Sequence, residues 1–167
     1  KPGEHINIKD SKGRLNISIL GKRSTNFVIP LISDDYTASK IPQLKFTATI
    51  ELISNIIKTG VKMASTVDDA VYFTVDNNKF IISSKNSDKE FSEEFDINVD
   101  KEIFNISSEG LTKSKYSTDY LSKFLSILDD ERPVKLMFSN SYPLRMDYSF
   151  GNALLSFILA NRIEWFI

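Results

Sequence analysis

Polar and apolar residues alternate along the opening of the chain, and this period of two predicts three β-strands. The strands are expected at residues 5–8, 15–19 and 27–29, with turn-forming residues at 10–13 and 21–24 between them. A sheet of three strands with nothing packed on it is only marginally stable. We therefore expect this segment to be the end of a domain whose earlier strands are absent from the sequence.

A polar stretch at residues 32–42 follows, with a composition typical of a connecting loop. Pro42 favours an extended backbone at Ile41, because the proline ring clashes with a helical residue before it. The pattern then changes. Residues 46–50 alternate as a strand, and over residues 53–64 the apolar positions recur at the spacing of one face of a helix.

The rest of the chain predicts a second helix among several more strands. Residues 71–75 and 80–82 flank a polar turn and predict a hairpin. Ser117 is a suitable N-cap for the second helix, with Asp119 in its first turn. Further strands are predicted at 90–97, 134–138, 144–149 and 154–160, whereas 103–106 is too short to assign. Two short helices among antiparallel strands indicate an α+β domain, with both helices covering one face of a sheet.

Composition limits the chemistry that this chain can carry. Hydrophobic residues make up 41% and charged residues 26% of the sequence, as in an ordinary globular protein. The net charge of -1 gives no overall basic field for nucleic acid or an anionic membrane. The absence of cysteine excludes disulfides, thiolate metal sites and a cysteine nucleophile. The one histidine, His5, lies in a polar segment where a surface position is the simpler interpretation.

The sequence predicts neither a membrane span nor catalysis. No apolar run approaches the roughly 18 residues that cross a bilayer, and no signal peptide is evident, so we expect an intracellular protein. Paired acids at 68–69 and 129–131 are typical of solvated turns, and no nucleophile–base–acid set accompanies them. We therefore predict no catalytic residues, no metal and no cofactor. A small enzyme that uses these acids is the minor alternative.

Two predicted neighbouring strands carry the most informative residues. One begins at Tyr142-Pro143-Leu144, and the other ends in Ile158-Leu159-Ala160-Asn161-Arg162-Ile163-Glu164. Three earlier segments precede them in a fixed order: Ile41-Pro42, Asp68-Asp69-Ala70-Val71 and Tyr116-Ser117-Thr118-Asp119-Tyr120-Leu121. The five segments in this order resemble the sliding clamps of the proliferating-cell-nuclear-antigen (PCNA) family, which tether polymerases to DNA. Asn161 departs from the family pattern, which usually has proline at this position. The apolar ending Trp165-Phe166-Ile167 is a second departure.

The resemblance implies a DNA-clamp fold and a domain organisation. Residues 1–31 would be the last strands of an incomplete first clamp domain, 32–43 the inter-domain connector loop and 44–167 a complete second domain. The implied function is that of a sliding-clamp subunit, a polymerase processivity factor that encircles duplex DNA without reading its sequence. Its partners would be other clamp subunits in a homo- or heterotrimeric ring, a clamp loader and client proteins such as polymerase, nuclease and ligase. By fold-level analogy, hetero-oligomeric clamps of crenarchaeal type are a natural setting.

A groove for client peptides is the first site that the resemblance implies. Clamp clients carry a Gln-x-x-aliphatic-x-x-aromatic-aromatic motif that inserts an apolar plug beneath the connector loop. The matching groove residues here are Ile41, Pro42, Tyr142, Pro143, Ile158, Ala160 and Asn161. Burial of apolar surface would supply the affinity, and small Ala160 would leave space for the plug. Without the resemblance, the same residues would simply complete a core and a turn.

The resemblance also implies a DNA-facing surface and two subunit interfaces. Helices line the hole of a clamp, where lysines meet phosphates. The candidates are Lys58, Lys62, Lys113, Lys115 and Lys123. Subunits join through edge strands, for which the candidates are Phe27, Val28 and Ile29 together with Phe91, Glu93 and Phe95. The acids of residues 90–97 have an alternative role, because charged residues protect a free strand edge.

Two alternatives concern the whole chain and its tail. A standalone peptide-binding domain, derived from a clamp and unable to close a ring, would keep the groove without encircling DNA. The tail Ile163-Glu164-Trp165-Phe166-Ile167 has a spacing similar to that of client motifs, so it would occupy the groove or pack on its own last strand. The sequence favours the second arrangement for the tail.

Overall fold

The computed structural model describes residues 4–31 and 43–163, and the chain divides into two compact units. The first unit is Lys1–Gln43 and the second is Leu44–Ile167. Residues 32–42, which make up nearly all of the predicted connector loop, lie outside the described residues.

The first unit is an antiparallel sheet of three strands, which confirms the predicted opening. Its strands, in spatial order, are β1 (His5–Ser11), β2 (Arg14–Leu20) and β3 (Ser24–Pro30). Lys12 and Gly13 join the first two strands with φ angles of 53° and 71°. Positive φ at both central positions is the geometry of the two-residue turns that match strand twist, and glycine adopts it without strain. Ile6 pairs with Ile19 and Ile17 pairs with Phe27, so these apolar residues share one face of the sheet.

The second unit contains nine strands and two helices in the described residues 43–163. In chain order they are β4 (Ala48–Ile53), α1 (Ser54–Ser65), β5 (Ala70–Asp76), β6 (Lys79–Lys85), β7 (Glu90–Asp96), β8 (Ile103–Ser108), β9 (Thr112–Ser117), α2 (Thr118–Leu125), β10 (Pro133–Phe138), β11 (Leu144–Phe150) and β12 (Ala153–Leu159). The predicted helices and hairpins are confirmed. The ambiguous residues 103–106 form a strand, and β9 was not predicted.

The strands form two antiparallel sheets rather than one. The five-stranded sheet has the order β12-β11-β10-β4-β8, and the four-stranded sheet has the order β7-β6-β5-β9. Strands distant in sequence pair in both sheets, as β10 does with β4 and β5 does with β9. Strands β7 and β9 are therefore the two edges of the four-stranded sheet.

The helices pack against each other and bridge the two sheets. Helix α1 contacts β4 of the larger sheet and β5, β6 and β7 of the smaller one, whereas α2 contacts β9. Phe124 of α2 also stacks on Phe157 of β12, with ring centroids 4.7 Å apart. One continuous core unites both sheets, with Phe73, Phe80 and Phe138 buried at its centre. The α+β clamp architecture is confirmed, and the surface beneath the helices is shared between two sheets.

The helix starts depend on backbone carbonyls from neighbouring segments. Ser117 occupies the predicted N-cap of α2, but its side chain makes no capping hydrogen bond. Instead, the amide of Thr118 donates to the carbonyl of Asp69 over 3.0 Å, and the amide of Ser54 donates to that of Arg132 over 2.9 Å. Neither described helix has the length and apolar content needed to cross a membrane.

Candidate functional site

The β10–β11 turn is fixed to the edge strand β9, and this contact builds one wall of the candidate site. The carbonyl oxygen of Tyr142 accepts hydrogen bonds from the Tyr116 hydroxyl at 2.8 Å and from the Ser114 hydroxyl at 3.1 Å. The amide of Ser141 donates to the carbonyl of Lys113 over 3.2 Å, and the amide of Lys113 donates to Asn140 Oδ1 over 2.7 Å. Burial of Tyr116 raises the pKa of its hydroxyl, so the phenol keeps its proton and acts as a donor.

The segment after β12 supplies a second wall, along the same edge of β9. The amide of Arg162 donates to the carbonyl of Lys115 over 2.8 Å, which places this segment along β9. The Arg162 guanidinium also forms a two-pronged ion pair with Asp69, at 2.8 Å from Nη2 to Oδ2. This pair lowers the pKa of the Asp69 carboxyl and raises the pKa of Arg162.

Between these walls lies an open depression of about 890 Å³, called here the β9 depression. It is lined by Tyr72, Lys113, Ser114, Lys115, Asn140, Ser141, Ala160, Asn161, Arg162 and Ile163. Two of the predicted groove residues, Ala160 and Asn161, therefore lie together in this depression. Tyr142 and Pro143 lie half-buried on the adjoining turn, and Ile158 is 39% exposed on β12. Ile41 and Pro42 lie outside the described residues.

Lys113 and Lys115 do not share a surface with the other predicted DNA-facing lysines. They occupy alternate positions of β9, where Thr112, Ser114 and Tyr116 point into the core. Because side chains alternate across a strand, the two lysines lie on the sheet face opposite the core. Their Nζ atoms lie 4.4 Å and 5.0 Å from the ring centroid of Tyr72. The two lysines therefore lie apart from the helical lysines, and their DNA-facing role stays a prediction.

The remaining predicted lysines lie on the helices. Lys58 and Lys62 line a shallow cleft of about 260 Å³ between α1 and α2. Lys58 is engaged, because its Nζ donates to the carbonyl of Leu128 and to Asp130 Oδ1, both over 2.5 Å. Lys62 is exposed, and Lys123 approaches the ring of Tyr120 at 5.2 Å. Lys62 and Lys123 are thus the more available cations of the helical surface.

The residues predicted for subunit contacts lie on edge strands. Phe27, Val28 and Ile29 belong to β3, an edge of the first unit, and are 51%, 55% and 47% exposed. On β7, Phe91 and Phe95 are partly buried against the core, and Phe95 stacks on Phe80. The described structure brings each set to a sheet edge.

Three of the acids raised by the enzyme alternative form ion pairs. Asp129 pairs with Arg132 at 3.4 Å, and Asp130 pairs with Lys58. Asp69 pairs with Arg162. Among the described residues, no group of three or more histidine, cysteine, aspartate or glutamate side chains is arranged to hold a metal ion.

Comparison with known proteins identifies relatives over nearly the whole chain. No protein-family model matches it. The chain is 31% identical over 157 residues to the DNA polymerase sliding clamp of Pyrococcus furiosus, which covers 93% of this chain and 63% of that protein. It is also 31% identical to DNA polymerase sliding clamp 1 of Thermococcus kodakarensis, and this match again covers 93% of this chain and 63% of that protein.

Solved structures agree with these sequence relatives. A crystal structure of PCNA from Thermococcus kodakaraensis matches with a TM-score of 0.83 at 25% identity, covering 97% of this chain and 67% of that one. The structure of A. fulgidus PCNA with the C-terminal region of FEN-1 bound matches with a TM-score of 0.80 at 22% identity. This match covers 97% of this chain and 65% of that one, and it supports the fold alone. The chain is thus a homologue of the DNA polymerase sliding clamps over nearly its whole length, and it spans about 63% of the length of these curated relatives.

Proposed function

We propose that this chain acts as a sliding-clamp subunit, which helps to encircle duplex DNA and docks replication and repair proteins. Its kinship with named DNA polymerase sliding clamps carries the proposal. Encirclement would hold the protein on DNA while it slides, so tight binding to DNA is not required. The setting would be intracellular, in the cytoplasm or nucleoid of a prokaryote or in a nucleus.

The docking function rests on the groove around Ala160. The C-terminal region of FEN-1 is bound in the A. fulgidus structure, which is a feature of that protein, and only by analogy with it do we propose that this chain binds a peptide. Here Ala160 and Asn161 border the β9 depression, and Ile158 lies exposed two residues earlier. A client peptide with the Gln-x-x-aliphatic-x-x-aromatic-aromatic motif would bury apolar side chains against these residues, with Tyr142 and Pro143 beside them.

The DNA-facing role belongs to the helical surface. Lys62 and Lys123 would meet phosphates there without contacting bases, as a sliding function requires. Lys58 would contribute less, because Asp130 already pairs with its charge. Contacts with other subunits, through β3 and β7, would complete the ring, and a clamp loader would open it.

A peptide titration tests the docking proposal. We expect a fluorescently labelled Gln-x-x-Ile-x-x-Phe-Phe peptide to bind saturably, as measured by fluorescence anisotropy. The Ala160→Arg variant should lose this binding, because a long charged side chain fills the space that alanine leaves. Ala153→Arg, at the exposed start of β12, is the matched control and should bind as well as the unaltered chain. Equal binding by all three proteins would place the peptide elsewhere and refute the groove.

A further inference from the structure

Arg162 anchors the segment after β12 at two points of the second unit. Its backbone amide donates to the carbonyl of Lys115 on β9 over 2.8 Å. Its guanidinium forms the two-pronged pair with Asp69, which directly precedes β5. A planar guanidinium matches both oxygens of a carboxylate, so such a pair fixes an orientation as well as a distance. One backbone bond and one side-chain pair therefore hold this segment along the edge of β9.

The backbone of Asp69 is a fixed point for this pair. Its carbonyl accepts the amide of Thr118 at the start of α2 over 3.0 Å. Its amide donates to Asp68 Oδ1 over 2.8 Å, and the next residue, Ala70, is buried in β5. Because a helix and a strand both hold this backbone, the position of the Asp69 carboxylate depends little on Arg162. The restraint acts mainly on the segment that carries Arg162.

The residues that this pair positions are those of the proposed groove. Ala160 and Asn161 directly precede Arg162, and all three line the β9 depression. They follow Leu159, the last residue of β12 that pairs with β11. Asparagine leaves the backbone φ angle free, whereas a proline ring would fix it. The position of the two groove residues therefore depends on the anchors of Arg162 rather than on strand pairing or on a rigid ring.

Nearby charges favour the charged forms of both partners. The hydrogen bonds between the two side chains are the main cause that lowers the pKa of Asp69 and raises the pKa of Arg162. Lys115 adds to the lowering at Asp69, and Asp68 and Asp119 add to the raising at Arg162. Both side chains therefore carry their charges near neutral pH, where the pair persists.

We propose that Arg162 is a positioning residue for peptide docking, which keeps Ala160 and Asn161 in place along β9 through its pair with Asp69. This inference rests on the proposed function, because it assumes that the motif binds beside Ala160. A groove that is formed only part of the time binds its peptide more weakly, in proportion to the fraction of molecules in which it is formed. Loss of the pair should therefore lower the affinity for the peptide.

A double-mutant cycle tests the pair in the anisotropy titration with the labelled Gln-x-x-Ile-x-x-Phe-Phe peptide. Arg162→Gln and Asp69→Ala should each weaken binding about two- to fivefold, because exposed ion pairs are weak. The variant with both substitutions should bind no more weakly than either single variant, because each change already removes the pair. Arg162→Lys should give an intermediate affinity, because it keeps the charge and loses the planar fork.

Arg132→Gln is the matched control. Arg132 forms an exposed pair with Asp129 at 3.4 Å, and it is not among the residues that line the β9 depression. This variant should bind the peptide as tightly as the unaltered chain. Near 0.5 M salt, the difference between the unaltered chain and Arg162→Gln should shrink to less than about twofold, because screening weakens exposed pairs. Equal binding by these two proteins at low salt would overturn the inference, as would additive losses in the double variant.

Amide hydrogen exchange separates this inference from the proposed function. The Arg162 amide should exchange about two- to fivefold faster in Asp69→Ala than in the unaltered chain or in Arg132→Gln, because its bond to Lys115 opens more often. If the motif peptide binds none of the proteins while exchange is faster, the docking function fails and the hold of the pair on the segment stands. If the peptide binds the unaltered chain and Asp69→Ala equally, the docking function stands and the positioning role fails. Unchanged exchange would overturn the inference whether or not the peptide binds.

Discussion

Arg162 links the segment after the last strand to the four-stranded sheet. Its guanidinium pairs with Asp69 just before β5, while its amide bonds to the carbonyl of Lys115. The Arg162 side chain is 40% exposed and that of Asp69 is 65% exposed. Exposed pairs of this kind contribute at most about 1 kcal/mol to stability, so the pair matters more for the position of the segment than for the fold.

Removal of Arg162 should raise the pKa of Asp69. Its hydrogen bonds to Asp69 are the main cause that lowers this pKa from the ordinary value of 3.8, so Arg162→Gln should return the pKa toward 3.8. A carboxyl with a lowered folded-state pKa stabilises the fold above 3.8, and this contribution is lost as the pH falls through the folded-state pKa. Carbon-13 NMR of the Asp69 carboxyl measures the change. Arg162→Lys, which keeps the charge but loses the planar fork, should give an intermediate result. An unchanged titration in Arg162→Gln would show that the pair does not form in solution.

Single residues also show where sequence reasoning succeeded and failed at the candidate site. Ala160 and Asn161 were predicted as a pair, and they line one cavity because they are consecutive in the chain. Tyr72 and Arg162 were missed, because their approach to β9 depends on strand pairing and on a contact across the fold. The separation of Lys113 and Lys115 from the helical lysines was hidden in the sequence for the same reason.

At the scale of elements, α1 lies against β6 at a glycine. A Cβ atom added to the buried Gly60 would lie 2.5 Å from Ile82 Cδ1 and 3.2 Å from its Cγ2. Ile82 is fully buried and has little room to move. The glycine therefore sets how closely helix and sheet can pack.

Gly60→Ala should destabilise the second unit despite the better helix propensity of alanine. Overpacking costs about 1–3 kcal/mol, and the gain in propensity offsets roughly 1 kcal/mol of it. We expect a net loss of about 1 kcal/mol in the free energy of unfolding, measured by chemical denaturation.

A double-mutant cycle supplies the control for Gly60. Ile82→Val removes the Cδ1 atom that the new methyl group would strike, at a cost of about 0.5–1.5 kcal/mol by itself. In that background, Gly60→Ala should cost little or become stabilising. Strictly additive effects would mean that Gly60 and Ile82 do not limit the packing.

The helices and strands differ in how well the hydrophobic pattern of the sequence predicts them. Helix α1 and the β5–β6 hairpin carry regular apolar positions, and both were predicted. Strand β9 buries Thr112 and Ser114 beside Tyr116, so its inward face shows almost no apolar alternation in the sequence. The division into two sheets was equally hidden, since β4 pairs with β8 and β10 across long stretches of chain.

At the scale of the whole molecule, the proposed ring requires strand edges that join one subunit to the next. Strand β3 is an edge of the first unit, and β7 is an edge of the four-stranded sheet. Exposed edges pair readily with other chains, and head-to-tail pairing of two different edges closes a ring when the rotation allows it.

Light scattering should show association of this chain above its 19.0 kDa mass as concentration rises. Phe27→Asp should weaken the association, because it places a charge on the β3 edge. The matched control is Ile6→Asp on β1, the opposite edge of the same sheet, which should leave association intact. A mass of 19.0 kDa at every concentration would instead favour the standalone peptide-binding domain.

The outer edge of β9 is occupied by the chain itself. The amides of Ser141 and Arg162 already donate to the carbonyls of Lys113 and Lys115, where a neighbouring strand would otherwise pair. Within the described residues, the four-stranded sheet can thus accept a new strand on the β7 side alone. Any chain that extends this sheet must therefore add at β7, so the occupied edge at β9 fixes the direction in which the sheet can be continued.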